Sequence, residues 1–391
     1  MRLLGISILL VTLSLAKKKC RKYASQDEDD PSNNVPQVIK SPLPYTYLLE
    51  SELPRHFDWR SVNGTNFVTV DLNQHVPVYC GSCWLHGSIS SLNDRLKIAR
   101  KAQFPEINLA RQVVLNCGNS TAGSCDGGGD YGLYVFVHKF GLPDDTCQLY
   151  SAQEHACSGM FVNELYIYSL AFRNCMNCET SSDTPAGVCF PVQSYTRYFV
   201  SEYGKMPNPT IHQMKAEIFK RGPISCSIDA NYITNGQYLP GDIVTVTSPK
   251  NETAEWDLDH VVSVAGWGVD EQSGMEYWIV RNSWGTFWLS DRGWFKVLLG
   301  VNAIGIESDC NWAVVDPQGV RNDWGPSDIY REFPSSSITP KPGQEEQNAE
   351  FFGFVEDPFE VIPTLPPSSE VSTDTNTTRL QLPELKGSEP L

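Results

Sequence analysis

Two cysteines in one short segment are the first residues of this chain that suggest chemistry. Cys80 and Cys83 form a C-x-x-C within NQHVPVYCGSCWLHGS, residues 73–88. This spacing occurs in thiol–disulfide redox pairs, and it also occurs where one cysteine is a nucleophile and the other belongs to a structural disulfide. A nucleophilic thiol needs a nearby base, and the base needs a group that orients it. Whether this C-x-x-C is a redox pair or contains a nucleophile therefore depends on which histidine the fold brings next to the Cys83 sulfur.

An amphipathic helix is predicted over residues 83–101, beginning near Cys83. Apolar residues follow one another there at spacings of three and four, at Leu85, Ile89, Leu92, Leu96 and Ala99. The partial positive charge at a helix N-terminus lowers the pKa of a thiol placed there. His86 lies one turn along the same face and is an alternative base, although nothing in the sequence orients it.

Two strand-like segments further along the chain bring a second histidine next to an amide. HVVSVAGWGV (260–269) and YWIVRNSW (277–284) flank the turn-rich DEQSG, and a third strand, GWFKVLL, starts at Gly293. In an antiparallel hairpin around this turn, residues whose numbers add up to about 542–544 face one another. His260 and Asn282 meet this condition, so the amide can orient the imidazole, and Trp284 can shield their bond from water. An ordinary strand histidine is the alternative interpretation.

The segments CGSCW (80–84), DHVVSVAGWG (259–268) and RNSWG (281–285) resemble the papain family of cysteine proteases. The resemblance implies an α+β fold with a helical left domain, a β-barrel-like right domain and the active site in the cleft between them. It also implies that Cys83 is the nucleophile and His260 its base. His260 follows Cys83 by 177 residues, more than the roughly 130–150 of the family. We therefore expect inserted loops within 140–210 and 232–258.

The segments LPRHFDWR, NQHVPVYCGSCW and GPISCSI are similar to one carboxypeptidase branch of this family, which removes single C-terminal residues. Gln74 precedes Cys83 by nine residues, three more than in ordinary members. The resemblance implies that Gln74 donates to the oxyanion together with the Cys83 N–H, and that His75 on the inserted loop binds the terminal carboxylate. A loop beside the nucleophile can block longer substrates, and a protonated imidazole recognises a carboxylate. A plain polar loop residue is the alternative for His75.

Two further substrate-binding assignments come from the same resemblance. CDGGGD (125–130) resembles the glycine-rich strand of the family, in which Gly127 and Gly128 let a substrate backbone approach. A plain turn is the alternative interpretation. Trp284 is assigned to the substrate-binding surface as well.

Twelve cysteines indicate an oxidising compartment, and ten remain when Cys20 and Cys83 are set aside. Their connectivity does not follow from the sequence. The resemblance implies five disulfides, namely Cys80–Cys125, Cys117–Cys157, Cys147–Cys175, Cys178–Cys189 and Cys226–Cys310. A zinc site at Cys175 and Cys178 is disfavoured, because the sequence supplies no matching His or Cys partners. We therefore expect neither a metal nor a cofactor.

Cys20 is the unpaired remainder. The resembled branch has a short propeptide whose cysteine bonds the catalytic cysteine in the zymogen, which implies a Cys20–Cys83 disulfide that blocks the thiolate until it is reduced. A stray thiol or an intermolecular link is the alternative.

Composition divides the chain into four parts. Residues 1–16 have the charged start, apolar run and small-residue site of a signal peptide, residues 17–52 form a short propeptide, and residues 53–315 form the peptidase domain. Residues 316–391 hold fourteen acidic and five basic side chains and eleven prolines, so they carry −9 of the net charge of −16 and are expected to be disordered. Four N-x-S/T sites permit glycosylation: Asn63, Asn119, Asn251 and Asn376.

The sequence therefore predicts a secreted or lysosomal cysteine-type carboxypeptidase that is made as a zymogen. Its expected partners are peptides or proteins with a free C-terminus and its own propeptide. Nucleic acid is excluded by the acidic charge, no later segment is apolar enough to span a membrane, and a monomer is expected. The alternatives are a broad endopeptidase, a thiol–disulfide oxidoreductase that uses Cys80 with Cys83, and a non-catalytic binding protein.

Overall fold

The computed structural model describes residues 20, 34–155, 157, 175–179, 188–192, 194–234, 241–249, 255–289 and 291–323. Its α-helices are α1 (Cys83–Ala99), α2 (Arg111–Cys117), α3 (Asp130–Phe140) and α4 (Ile211–Arg221). Its strands are β1 (Phe57–Asp58), β2 (Gly123–Ser124), β3 (Gly127–Gly128), β4 (Met176–Glu179), β5 (Val188–Pro191), β6 (Ser194–Arg197), β7 (Val200–Pro207), β8 (Ile224–Ile228), β9 (Ile243–Val244), β10 (His260–Val269), β11 (Glu276–Arg281), β12 (Trp294–Leu298), β13 (Asp309–Val315) and β14 (Val320–Asp323).

Helix α1 is the centre of the helical part. It begins at Cys83 as predicted and ends at Ala99, two residues earlier than predicted, because Lys101 and Ala102 adopt left-handed backbone angles. Every residue from Cys83 to Leu96 is buried. The helix crosses β10 at Gly87, where an added Cβ would lie 2.9 Å from the carbonyl oxygen of Val261. This close crossing sets the start of α1 against the start of β10.

The β part is an eight-stranded sheet in the order β7-β13-β8-β10-β11-β12-β9, with β1 paired to β10. Strand β10 has the predicted bounds, and all ten of its residues are buried. It pairs antiparallel with β11 through Ser263–Arg281, and the register shifts at a bulge after Val264. Strand β11 ends at Arg281 rather than at the predicted Trp284, and the residues that follow pair with another segment, since Trp284 forms a bridge with Asn73. This mixture of helix and sheet is the expected α+β architecture.

A buried ion pair joins the helical part to the sheet. Arg95 of α1 pairs with Glu217 of α4 at 3.0 Å, and both side chains are almost fully buried. The same guanidinium donates to the carbonyls of Gly222, Pro223 and Ala313. Because a buried charge is tolerated only when it is paired and hydrogen-bonded, this network fixes the angle of α1 on the sheet.

The described end of the predicted propeptide, residues 34–50, packs on the edge of β7. Val38 exchanges two backbone hydrogen bonds with Tyr203. The Glu202 carboxylate accepts hydrogen bonds from the N–H groups of Lys40 and Ser41 and from the Ser41 hydroxyl. Burial opposes ionisation of Glu202, but these hydrogen bonds outweigh it and hold its pKa below the ordinary value. The segment is thus bound to the sheet by its backbone.

Disulfides join Cys20–Cys83, Cys80–Cys125, Cys117–Cys157, Cys147–Cys175 and Cys226–Cys310. Cys178 and Cys189 lie opposite one another in the β4–β5 ladder, where the structure describes only the backbone. The predicted signal peptide, residues 17–19 and 21–33 of the propeptide and the extension after residue 323 lie outside the described residues. The extension was expected to be disordered from residue 316, but its residues Val320–Asp323 form β14, which pairs with β6. Within the described part, no helix is long and apolar enough to cross a membrane.

Candidate active site

Cys83 is the first residue of α1, and its side chain is fully buried. No acidic side chain lies in the first helical turn, so nothing offsets the partial positive charge of the helix end. The Val261 N–H of β10 points at Cys83 Sγ from 3.4 Å. The sulfur therefore lies at the junction of the helix and the sheet, in a setting that favours a thiolate once the thiol is free.

The structure brings His260 and Asn282 together just beyond Ser263–Arg281, the last pair of the β10–β11 ladder. His260 Nε2 lies 2.8 Å from Asn282 Oδ1, and the same oxygen accepts the Ser283 N–H at 2.8 Å. An oxygen in this position accepts, so Nε2 carries the proton and Nδ1 is left for the sulfurs. The ligating atoms of Cys20, Cys83 and His260 all lie within 4.8 Å of one another. The imidazole is thus oriented by an amide and lies beside the Cys83 sulfur.

Burial lowers the pKa of His260 to about 4, although its hydrogen bond with Asn282 opposes the shift. The sulfur beside it belongs to a disulfide and has no charge, so the cost of burying an imidazolium is not offset. The Trp284 ring lies 5.0 Å from the imidazole, centroid to centroid. In this state the imidazole is neutral and shielded from water.

Two N–H donors converge on the sulfur of Cys20. The Cys83 N–H lies 2.7 Å from Cys20 Sγ, and Gln74 Nε2 lies 3.7 Å from it. Gln74 is buried, and its side chain is held by the Ser283 hydroxyl at 2.7 Å and by the Cys80 carbonyl at 3.1 Å. Both donors therefore point at one position, which the Cys20 sulfur occupies in this structure.

The glycine-rich segment lies along the residue that blocks the thiol. The Gly128 N–H donates to the Cys20 carbonyl at 3.3 Å, and Gly127 has a positive φ of 113°. An added Cβ at Gly128 would lie 2.3 Å from the Ala122 carbonyl oxygen and 2.8 Å from the Trp84 ring. The close packing of the β2–β3 hairpin therefore requires glycine at position 128. The absence of a side chain also leaves the Gly128 N–H accessible to an extended backbone, here that of Cys20.

His75 lies on the loop between Gln74 and Cys80. Its ring stacks on Tyr79 at 4.6 Å with an interplanar angle of 8°, and its N–H donates to Asn73 Oδ1 at 2.9 Å. Within the described part of the chain, its buried Nδ1 has no hydrogen-bond partner. Partial burial lowers the pKa of His75, and its charge is one of the influences on the pKa of His260. An unpaired ring nitrogen therefore lies near the reacting groups.

His86, the alternative base, makes its contacts with Ser82 and Tyr150. It is fully buried, its Nδ1 lies 2.9 Å from the Ser82 carbonyl, and its ring meets Tyr150 edge-on. Burial, with a contribution from Arg111, lowers its pKa to about 3. His86 is thus a neutral group of the protein interior, whereas His260 is the histidine beside the sulfur.

Among the described residues, the group of Cys20, Cys83 and His260 is close enough to hold a metal ion. Two of its three ligating atoms are joined in a disulfide, so they are unavailable as thiolate ligands. Sequence reasoning missed Ser283, which follows Asn282 inside RNSWG, and Tyr150, which no motif marks.

The papain family cysteine protease model matches residues 53–314 of this chain. Cathepsin Z of Onchocerca volvulus is 40% identical over 269 residues, which cover 67% of this chain and 78% of that protein. The Cathepsin B-like cysteine proteinase 1 of Haemonchus contortus is 26% identical over 290 residues, covering 69% of this chain and 76% of that one.

Solved structures give the same fold. One, from work on the antibody cross reactivity of the mite allergens Blo t 1 and Der p 1, is similar with a TM-score of 0.52 and 24% identity over 71% of this chain and 75% of its own. The digestive procathepsin L2 proteinase of Tenebrio molitor has a TM-score of 0.51 and 23% identity over 73% and 76%. At this identity the likeness concerns the fold alone.

Proposed function

Because this chain belongs to the papain family of cysteine proteases, we propose that it is a cysteine-type carboxypeptidase, made as a zymogen, that removes single residues from free C-termini. The observation that supports the carboxypeptidase activity is the position of His75. Its unpaired ring nitrogen lies on a loop that directly follows Gln74, at the edge of the cleft that holds Cys83. In this proposal a substrate carboxylate binds to His75 and so places the last peptide bond beside the sulfur.

The reaction follows from four side chains. Freed Cys83 loses its proton to His260, and the thiolate attacks the carbonyl carbon of the last peptide bond. The oxyanion that forms accepts hydrogen bonds from Gln74 Nε2 and the Cys83 N–H, the two donors that point at Cys20 Sγ in this structure. His260 then gives its proton to the leaving amino acid, and a water activated by His260 hydrolyses the thioester. Asn282 holds the imidazole in one tautomer throughout.

Substrate binding uses the groups around the sulfur. The Gly128 N–H, which donates to the Cys20 carbonyl here, binds a carbonyl of the substrate backbone. Gly127 gives that strand its turn, and the Trp284 ring covers the side of the cleft next to His260. The loop of Val76, Val78 and Tyr79, whose side chains are exposed, blocks chains that extend past the last residue.

Cys20 keeps the enzyme latent in this proposal. Its disulfide with Cys83 removes the nucleophile, its sulfur accepts both oxyanion donors, and its carbonyl occupies the Gly128 N–H. Two thiols of the compartment reduce this disulfide by exchange, so that both sulfurs return to thiols and the reductant becomes a disulfide, and proteolysis after residue 52 releases the propeptide. The disulfides support the secretory pathway, with a lysosomal or extracellular destination, and a monomer fits the self-contained site.

The oxidoreductase alternative needs Cys80 and Cys83 to share one disulfide. Cys80 is instead joined to Cys125, and Cys83 to Cys20. This pairing favours a peptidase. A broad endopeptidase remains the competing activity, and it differs from a carboxypeptidase in its indifference to the substrate C-terminus.

Hydrolysis of one peptide with a free C-terminus and of its C-terminally amidated twin tests the proposal. The matured protein should trim the free acid one residue at a time and cleave the amide far more slowly. His75→Ala should bring the two rates together. Because burial lowers the pKa of His75, the preference should be largest at acidic pH and decline as pH rises and the imidazole loses its proton. Equal rates on both peptides with the unmutated protein refute the carboxypeptidase and favour the endopeptidase.

A further inference from the structure

A chain of hydrogen bonds lies behind the oxyanion donors. The Tyr150 hydroxyl donates to the carbonyl oxygen of Gln74 at 2.8 Å and lies 2.8 Å from Ser82 Oγ. The Gln74 carbonyl belongs to the peptide unit that joins Gln74 to His75, and Ser82 directly precedes Cys83. One hydroxyl therefore bonds both ends of the inserted loop.

The donor and acceptor of each hydrogen bond in this network can be assigned. His86 Nδ1 donates to the Ser82 carbonyl at 2.9 Å, which leaves His86 Nε2 as an acceptor for the Arg111 guanidinium at 3.5 Å. Since the Tyr150 proton is used on Gln74, the Ser82 hydroxyl donates to the Tyr150 oxygen. Ser82 Oγ also lies 3.2 Å from His86 Nδ1, so the Nδ1 proton is shared between the two Ser82 oxygens. With this assignment each of these polar groups has a hydrogen-bond partner.

Tyr150 itself is held on two sides. The edge of its ring meets His86 at 4.8 Å, and the Arg111 guanidinium lies over its face at 5.0 Å. Arg111 is in turn anchored by Asp145 at 2.7 Å. Burial raises the pKa of Tyr150 to about 12, so the hydroxyl keeps its proton at any working pH.

We propose that Tyr150 is a positioning residue that fixes the peptide unit between Gln74 and His75, and thereby holds His75 where it meets the substrate carboxylate. The inference rests on the carboxypeptidase function proposed above. Gln74 has independent anchors, because Ser283 and the Cys80 carbonyl hold its side chain and its N–H donates to the Ser283 carbonyl.

His75 has fewer anchors than Gln74. Its N–H donates to Asn73 Oδ1, and its ring stacks on the exposed Tyr79. Loss of the Tyr150 hydroxyl frees the peptide unit to rotate, and that rotation displaces His75 more than the oxyanion donors. The consequence is a loss of selectivity for free C-termini rather than a general loss of hydrolysis.

Tyr150→Phe tests this, because it removes the hydroxyl and keeps the ring. The matured variant is assayed for kcat and KM on a peptide with a free C-terminus and on its amidated twin. The preference for the free acid, as a ratio of kcat/KM, should fall on the order of tenfold, mainly through KM for the free acid. Hydrolysis of the amide should stay within about twofold of the unmutated rate.

Tyr134→Phe is the matched control. It removes a buried hydroxyl that donates to Ser225 Oγ at 2.9 Å, between α3 and β8 and outside the inserted loop. This variant should keep the preference of the unmutated protein. In a His75→Ala background, Tyr150→Phe should cause no further loss of preference, because the group that it positions is absent.

The outcomes separate the two proposals. If the unmutated protein shows no preference for the free acid, the carboxypeptidase function itself fails. If the unmutated protein shows the preference and Tyr150→Phe retains it in full, the positioning role is overturned. Should Tyr150→Phe fail to fold, Ser82→Ala removes the donor to Tyr150 and should lower the preference about threefold. An unchanged preference in Ser82→Ala overturns the inference equally.

Discussion

Replacing His86 with phenylalanine removes an ionisable group from the first turn of α1, where the side chain is 0% exposed. The imidazole is neutral in the folded protein, because burial and the nearby Arg111 lower its pKa from 6.5 to about 3. In the unfolded chain the same group has its ordinary pKa. Phenylalanine has a similar shape and binds no proton in either state, so the variant isolates the effect of protonation.

The direction of the pH dependence of stability follows from proton uptake by the unfolded chain. Between pH 6.5 and about 3 the unfolded chain binds a proton at His86 that the folded chain does not bind, so stability is lost as pH falls. The loss approaches about 1.4 kcal/mol per pH unit. At about pH 7.5 both states are neutral and nothing is lost; at about pH 4.5, two units below the ordinary value, the loss is on the order of 2–3 kcal/mol.

The assay is guanidinium unfolding followed by tryptophan fluorescence, with the disulfides intact, at both pH values. Packing differences between histidine and phenylalanine contribute equally at the two pH values and cancel when the pH dependences are subtracted. The unmutated protein should lose about 2–3 kcal/mol more than His86→Phe between about pH 7.5 and 4.5.

Leu92→Val, at another fully buried position of α1, is the control and should lower stability by about 1 kcal/mol at both pH values. Identical pH dependences for the unmutated protein and His86→Phe would refute the neutral, buried state of His86.

Three further predictions concern the site and its blocking segment. Gln74→Ala removes one of the two donors that point at Cys20 Sγ, so kcat should fall on the order of a hundredfold with little change in KM, as steady-state kinetics of the matured protein would show. Gly128→Ala forces a Cβ to within 2.3 Å of the Ala122 carbonyl, so the free energy of unfolding measured with denaturant should drop by about 1–3 kcal/mol; an unchanged free energy contradicts the close contact. Hydrogen bonds outweigh burial and hold the pKa of Glu202 below its ordinary 4.5. The ionised carboxylate therefore keeps its hydrogen bonds with Ser41 in full above pH 4.5, and their stabilising effect is lost as the pH falls through the lowered pKa. Hydrogen exchange of residues 34–50, corrected for intrinsic rates, should therefore accelerate at acidic pH, whereas Glu202→Gln should exchange fast at every pH.

The contact between His260 and Asn282 is the part of the structure that local sequence patterns predict best. Two alternating strands around a short turn give an approximate register that brings the two residues near one another. The observed ladder ends at Ser263–Arg281, and the two side chains meet just beyond it. Apolar residues at helical spacing likewise predict that α1 starts at Cys83. These predictions succeed because backbone hydrogen bonding converts residue spacing directly into proximity.

Other features depend on long-range contacts that spacing does not encode. Strand β11 stops at Arg281, and Trp284 pairs instead with Asn73, which lies in a distant segment of the chain. Tyr150 lies within residues 140–210, where inserted loops are expected and no periodic pattern is present, so its contact with the Gln74 carbonyl does not follow from residue spacing. The position of the Cys20 sulfur opposite Gln74 and the Cys83 N–H likewise depends on the folded structure, because the resemblance implies only the Cys20–Cys83 disulfide.

Native alkylation of the full chain, before and after mild reduction, tests most directly the claim that Cys83 is the nucleophile and that Cys20 withholds it. Labelled cysteines are mapped by peptide mass while hydrolysis of a free-acid peptide is followed in the same samples. We predict that Cys20 and Cys83 are labelled only after reduction, that the other ten cysteines stay unlabelled, and that hydrolysis is lost in proportion to labelling of Cys83. Hydrolysis that survives complete labelling of Cys83, or labelling of Cys80 together with Cys83 and without Cys20, would contradict the account.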